Sequence, residues 1–345
     1  MPDRAAVIAA LAEYATKPAT AHEVRAEPGE VFSAPPFQQL RQFLPSLRSK
    51  AELDALLSEV AALTRTGDPF RTSVIAVNCG SLVEMGGDPA LVAPHLVAAL
   101  PGHLNLARRA AGATFDTDPD AIRARGGLTF LMLATMAVLC RGAAFRQAAR
   151  ANADLVAGVE ALAEEHRESG FVAQVLGFTD GLALLVLAPN EGKGFRVACD
   201  AVATNAHLFT LLQAALIGGG HLSGEPIDEE VVGVATGAIP HTRVLHDHAR
   251  FHFSSWFGLP KEGEFQGNLI DSIIHFPVEV SPGAIPEFDG VRVVLIDPMR
   301  GGGRSWDSNF FANIHDALRS RAEVVEVLSP EEVTEWLDRI KKRSG

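Results

Sequence analysis

The sequence predicts an α+β protein, a helical N-terminal half followed by a mixed sheet with a C-terminal β-α-β-α element. Three observations predict it. Apolar residues recur at helical spacing along the first half, β-prone runs around a glycine-rich turn begin at Leu182, and strand-like and helical runs alternate after Val291. At 345 residues the chain exceeds the usual size of one domain. The change of pattern near Gly170 divides it into a helical domain, 1–169, with a Pro-rich arm at 15–48, and an α/β domain, 170–345.

Hydrophobic residues make up 47% and charged residues 21%, a composition that supports a packed core. The formal net charge of −12 repels phosphate backbones and anionic lipid surfaces at long range, so neither nucleic acid nor membrane is expected as a partner. Cys79, Cys140 and Cys199 are odd in number, far apart and set among apolar neighbours. They read as buried reduced thiols, and a cytoplasmic location follows as the expectation. Arginine outnumbers lysine, which suggests GC-rich coding and a bacterial source.

Taken in chain order, Asp3 caps a first helix with Val7, Leu11 and Tyr14 on one face, a better reading than an export signal because Asp3, Glu13 and Lys17 interrupt the run. Residues 15–48 hold Pro18, Pro28, Pro35, Pro36 and Pro45 and read as an extended surface arm. Ser49 and Glu52 form a capping box ahead of Leu53, Leu56, Leu57, Val60 and Leu63. A helix from Thr72 to Glu84 ends at Gly86-Gly87, and Asp88-Pro89 and Asp118-Pro119 start the next two. Pro94 should kink or shorten the first of these. Helices at 128–149 and 152–167 complete this half. The apolar run Leu128 to Cys140 is shorter than the roughly 20 residues a bilayer needs and reads as a core helix.

In the second half, 182–187 and 195–202 form a hairpin around Gly192 and Gly194, and Asn205 caps a helix stopped by Gly218-Gly219-Gly220. Strands are expected at 243–253, 269–280, 291–296 and 324–328, with helices at 309–319 and 330–342. The spacing of strand, helix and strand in the tail predicts a parallel pair with a right-handed crossover. Ser329 and Glu332 cap the last helix.

Chemistry concentrates in two places. His221, His241, His246, His248, His252 and His275 are six of the twelve histidines and fall close together. On an extended 243–253, the period of two places His246, His248, Arg250 and His252 on one face. His246 and His248, joined by His275 from a neighbouring strand, then make a candidate zinc site. The plainer alternative is a solvated sheet face, with Arg250 repelling a cation. Ser254, Ser255 and Ser272 lie near these histidines, but no G-x-S-x-G elbow frames them as nucleophiles.

The second place is Asp297-Pro298-Met299-Arg300-Gly301-Gly302-Gly303-Arg304-Ser305, between a strand and a helix. Arg300, Gly301, Gly302, Gly303 and Arg304 suit an anion such as phosphate, although no Walker A sequence follows. The plainer alternative is a turn with solvated arginines. Trp256, Phe257 and Trp306 sit in loop-like sequence and are candidate anchors for a partner. The resulting expectation is a non-catalytic cytoplasmic protein without a cofactor that binds another protein. Its alternatives are a zinc-dependent hydrolase using the histidines and a binder of a phosphate-bearing ligand.

Overall fold

The computed structural model describes residues 2–239, 245–246, 251–255, 279–298, 306–307 and 314–344. The fold is α+β, and the chain divides into two compact units, Met1–Leu176 and Gly177–Gly345.

The first unit is helical. Its elements are α1 (Arg4–Thr16), α2 (Ala21–Arg25), α3 (Pro28–Val31), α4 (Pro35–Phe43), α5 (Lys50–Ala62), α6 (Pro69–Glu84), α7 (Ala93–Arg109), α8 (Pro119–Leu139), α9 (Ala143–Arg150), α10 (Ala153–Ala163) and α11 (Arg167–Leu176). Helix α8 is its axis and packs against α6, α7 and α11. Small residues permit the approach: a Cβ on Gly127 would stand 2.8 Å from Ser73 Cβ, and one on Gly80 would stand 3.1 Å from Ala134 Cα. With 21 residues, α8 is long and apolar enough to cross a bilayer, and most of its side chains from Ala121 to Leu139 are buried within the unit.

Local signals place most helix starts. Side-chain oxygens of Asp3, Ser49 and Asp118 accept from backbone N–H groups at the starts of α1, α5 and α8. Asp68 does the same for α6, so that helix begins at Pro69, before the expected Thr72. Asp88-Pro89 opens only a 3-10 turn, Pro89–Leu91, and α7 follows with Pro94 in its first turn, where no amide donor is missed. The expected helix at 128–149 is two helices, because α8 starts at Pro119 and the chain breaks at Arg141-Gly142 before α9.

The Pro-rich segment differs most from its expectation. Instead of an extended arm it forms α2, α3 and α4, with Pro28 and Pro35 in first turns, where fixed φ favours a helix. Phe37 and Leu40 are buried, and Phe32, Phe37, Tyr14 and Phe130 stack edge to face in a chain of rings.

The second unit contains β1 (Leu182–Ala188), β2 (Lys193–Asp200), α12 (Asn205–Gln213), α13 (Glu229–Thr236), β3 (Leu245–His246), β4 (Phe251–Ser255), β5 (Glu287–Phe288), β6 (Val291–Pro298), β7 (Trp306–Asp307), β8 (Arg321–Val327) and α14 (Pro330–Ser344). The hairpin β1–β2 turns at Gly192, whose φ of +62° suits glycine. The sheet runs β4-β6-β1-β2-β8, with β5 also on β6, and among the described residues only β1 and β6 pair in parallel. Helix α14 covers one face: Val333 and Ile340 join Leu185, Leu187, Val293 and Leu295 in a buried cluster. Both bonds of the Ser329–Glu332 capping box start this helix.

Four details of this unit depart from expectation. The predicted parallel pair in the tail is absent, because β1 and β2 lie between β6 and β8, and β8 pairs antiparallel with β2. Residues 314–320, within or next to the expected helix 309–319, form turn and coil. The cap of α12 is Thr204, whose hydroxyl accepts from His207 N–H, and Asn205 is already the first helical residue. Of the expected strand 269–280, residues 269–278 lie outside the described residues and 279–280 form a turn.

Candidate functional site

Two short strand pairings place the described parts of the segments that the sequence set apart. Strand β4 pairs antiparallel with β6, with Phe251 opposite Pro298, His252 opposite Asp297 and Ser254 opposite Leu295. Further along the same two chain segments β3 pairs antiparallel with β7, with Leu245 opposite Asp307 and His246 opposite Trp306. Residues 245–246 and 251–255 of the histidine-rich run therefore each pair with residues that flank the glycine loop, in two separate short pairings. Neither sequence pattern contains the other's register, so the sequence treats them as two sites.

The candidate residues are placed as follows. His246 is in β3 and Trp306 is opposite it in β7. His248, His275, Trp256 and Phe257 lie outside the described residues, as do Arg300, Gly301, Gly302, Gly303 and Arg304. Among the described residues no group of three or more His, Cys, Asp or Glu side chains is placed to hold a metal ion.

Elsewhere three cysteines and three histidines are tied into the fold. Cys79, Cys140 and Cys199 are free and buried, and burial pushes each thiol up to about 12, which suppresses the reactive thiolate. His103 Nε2 lies 2.9 Å from the Ala124 carbonyl and 3.3 Å from Ser73 Oγ. The carbonyl can only accept, so Nε2 carries the proton and cannot take one from Ser73, whose hydroxyl donates to Pro69 O at 2.8 Å. Burial pushes His103 down to about 4 against the pull of that carbonyl.

His207 repeats the arrangement in the second unit. Its Nε2 donates to Ala235 O at 2.7 Å, its Nδ1 accepts from Ala203 N–H at 3.2 Å, and burial again pushes it down to about 4. His166 accepts from Ser169 N–H through Nδ1 and so sits at the start of α11 as a cap, with burial lowering its pKa. These three histidines hold structure.

A network missed by sequence reading fixes the N-terminal segment. Asp68, buried, accepts from Ala19 N–H at 3.1 Å and lies 3.3 Å from Arg123 Nε, which donates to Ala19 O. Arg71 donates to both Glu23 oxygens at 2.8 and 3.0 Å and lies over the Tyr14 ring. Burial pushes the Tyr14 hydroxyl up to about 12. The one local hint is the Thr20–Glu23 capping box, which ties Glu23 to its own turn.

One surface feature stands apart. Among the described residues β8 has a neighbouring strand on one side only, β2. Its Val325 and Val327 are 59% and 57% exposed, while Arg321 and Glu326 are paired back onto Asp200 and Arg196 of β2. Comparison with protein-family models, curated proteins and solved structures finds no match to this chain.

Proposed function

We propose that the chain acts by binding another protein, and that the contact is made along β8. The observation that carries this reading is the edge itself, a seven-residue strand bearing two valines more than half exposed. Unpaired strand edges accept an extended segment of another chain through main-chain hydrogen bonds, and alternate side chains supply selectivity. The register shift between Arg196 and Val197 twists this edge and limits indiscriminate pairing. Trp306, held in the β3–β7 ribbon, is a second candidate contact. A net charge of −12 supports a protein partner over a nucleic acid.

A photo-crosslinking residue at position 325, with position 335 on α14 as the control, tests the reading in cells that make the protein. The expected result is one discrete protein adduct at 325, absent at 335, which Val327→Lys removes without lowering the thermal unfolding temperature. Equal adducts at both positions, or none at 325, would overturn it.

A further inference from the structure

We propose that the segment received by β8 is an extended stretch of another protein in which lysine or arginine alternates with apolar residues. This rests on the reading of β8 as the contact edge and names what that edge selects. Register supplies the first step. Leu328 N–H donates to Gly194 O, and hydrogen-bonded pairs alternate along antiparallel strands. Strand β2 therefore turns the main-chain groups of Gly194, Arg196, Ala198 and Asp200 toward β8. The residues opposite Phe195, Val197 and Cys199, which are Val327, Val324 and Ala322, turn theirs away, toward an incoming strand.

The two faces of this edge differ. Ala322, Val324 and Val327 share the face of Phe195, Val197 and Cys199 and are apolar. Arg321, Glu323 and Glu326 share the other face with Arg196 and Asp200. Glu323 and Glu326 are three apart in sequence and would fall on opposite faces of a regular strand. The register shift at Arg196/Val197 brings them into step, because they lie opposite Ala198 and Arg196, which are two apart. Charge on this face is unbalanced. Arg321 lies 2.6 Å from Asp200 and 3.6 Å from Glu323, while Arg196 lies 2.9 Å from Glu326. Glu332, whose carboxyl is held low first by Ser329, also feels Arg196. Four carboxylates thus share two guanidiniums, and the Glu323 and Glu326 side chains are 64% and 50% exposed.

A strand laid along β8 sets two of its residues, two apart, opposite Glu323 and Glu326. Opposite charges in such cross-strand pairs stabilise and like charges destabilise, so these two positions select lysine or arginine. The residues between them fall on the face of Val324 and Val327 and gain by being apolar. The same register disfavours a second copy of this chain. Ser320 N–H already donates to Thr236 O, so the open edge runs from Ala322 to Val327. Two copies pair all of it only when centred on Val324, which sets Glu323 of each against Glu326 of the other.

Anisotropy of fluorescein-labelled peptides with the full-length chain tests the proposal. Three short peptides are compared: one alternating lysine and valine, one alternating glutamate and valine, and one carrying the same lysines and valines in two blocks. The alternating lysine peptide should bind roughly tenfold more tightly than either other. Val327→Lys should abolish that binding, and Glu323→Lys should weaken it while strengthening binding of the glutamate peptide. Both variants alter exposed side chains, and an unchanged thermal unfolding temperature checks that each folds. Equal binding of the block peptide would reduce the effect to attraction by a chain of net charge −12 and overturn the proposal. A lysine preference that survives Glu323→Lys, no binding by any peptide, or a dimer of the unaltered chain that Val327→Lys dissociates would overturn it too. A discrete adduct at position 325 alongside any of the peptide failures would keep β8 as a contact for another protein and remove only the basic alternation.

Discussion

The helical unit and the sheet unit bury polar groups in different ways. In the helical unit Asp68 and Arg71 are buried and matched by Arg123 and Glu23; Arg71 and Glu23 are 48 residues apart in the chain, and Arg123 also reaches the Ala19 carbonyl 104 residues away. In the sheet unit the buried polar residues described are uncharged: Asn205, His207, Thr210 and Gln213 share one helix, α12, and Ser320 donates to the Ala201 carbonyl. Paired charges specify which distant segments meet, since either charge left alone in the interior is costly. Neutral groups are satisfied more cheaply by nearby carbonyls, as His207 is by Ala235. The first device makes the helical unit sensitive to loss of its anchors; the second, which His103 also supplies in the helical unit, makes both units sensitive to protonation.

The largest effect is expected where the N-terminal segment meets the helical core. Phe37 is buried between Tyr14 and Phe32, so Phe37→Ala should cost about 3–5 kcal/mol and accelerate amide exchange in α1 and α4. An unchanged denaturant midpoint would show that the ionic contacts alone hold the segment. Next comes acid. The ordinary imidazole value of 6.5 applies to the unfolded chain, and His103 and His207 titrate at about 4 when folded. Between those values the unfolded chain binds more protons, so stability is full above pH 6.5 and falls as pH drops toward 4, by roughly 3 kcal/mol for each histidine. His103→Gln and His207→Gln should each flatten one share of that slope, one in each unit. The smallest effect is at a surface cap: Ser329→Ala should cost about 1 kcal/mol, read as faster exchange in the first turn of α14.

Much of the helical unit is legible in the sequence because its rules are local. Asp3, Ser49 and Asp118 each announce a helix within three residues, as Ser329 does for α14 in the sheet unit. Asp68-Pro69 carries the same signal and starts α6. The segment 15–48 misleads because proline reads as a breaker, although in a first turn it starts a helix. The hairpin β1–β2 is legible, since its turn and both strands are contiguous. The strand order is not, because β1 meets β6 and β2 meets β8 only through three-dimensional register. The same limit hides the candidate site: no pattern near Asp297 indicates that His252 lies opposite it.

The interleaving of the sheet has a consequence for synthesis. The hairpin β1–β2 is complete by Asp200, yet Val186 waits for Val294 and Phe195 waits for Val327. That is a delay of roughly a hundred residues, which at about 5–20 residues per second leaves an apolar hairpin with both flanks open for on the order of ten seconds. A nascent chain halted shortly after residue 200 should therefore be a strong client for chaperones on the ribosome, and release from them should coincide with emergence of β8.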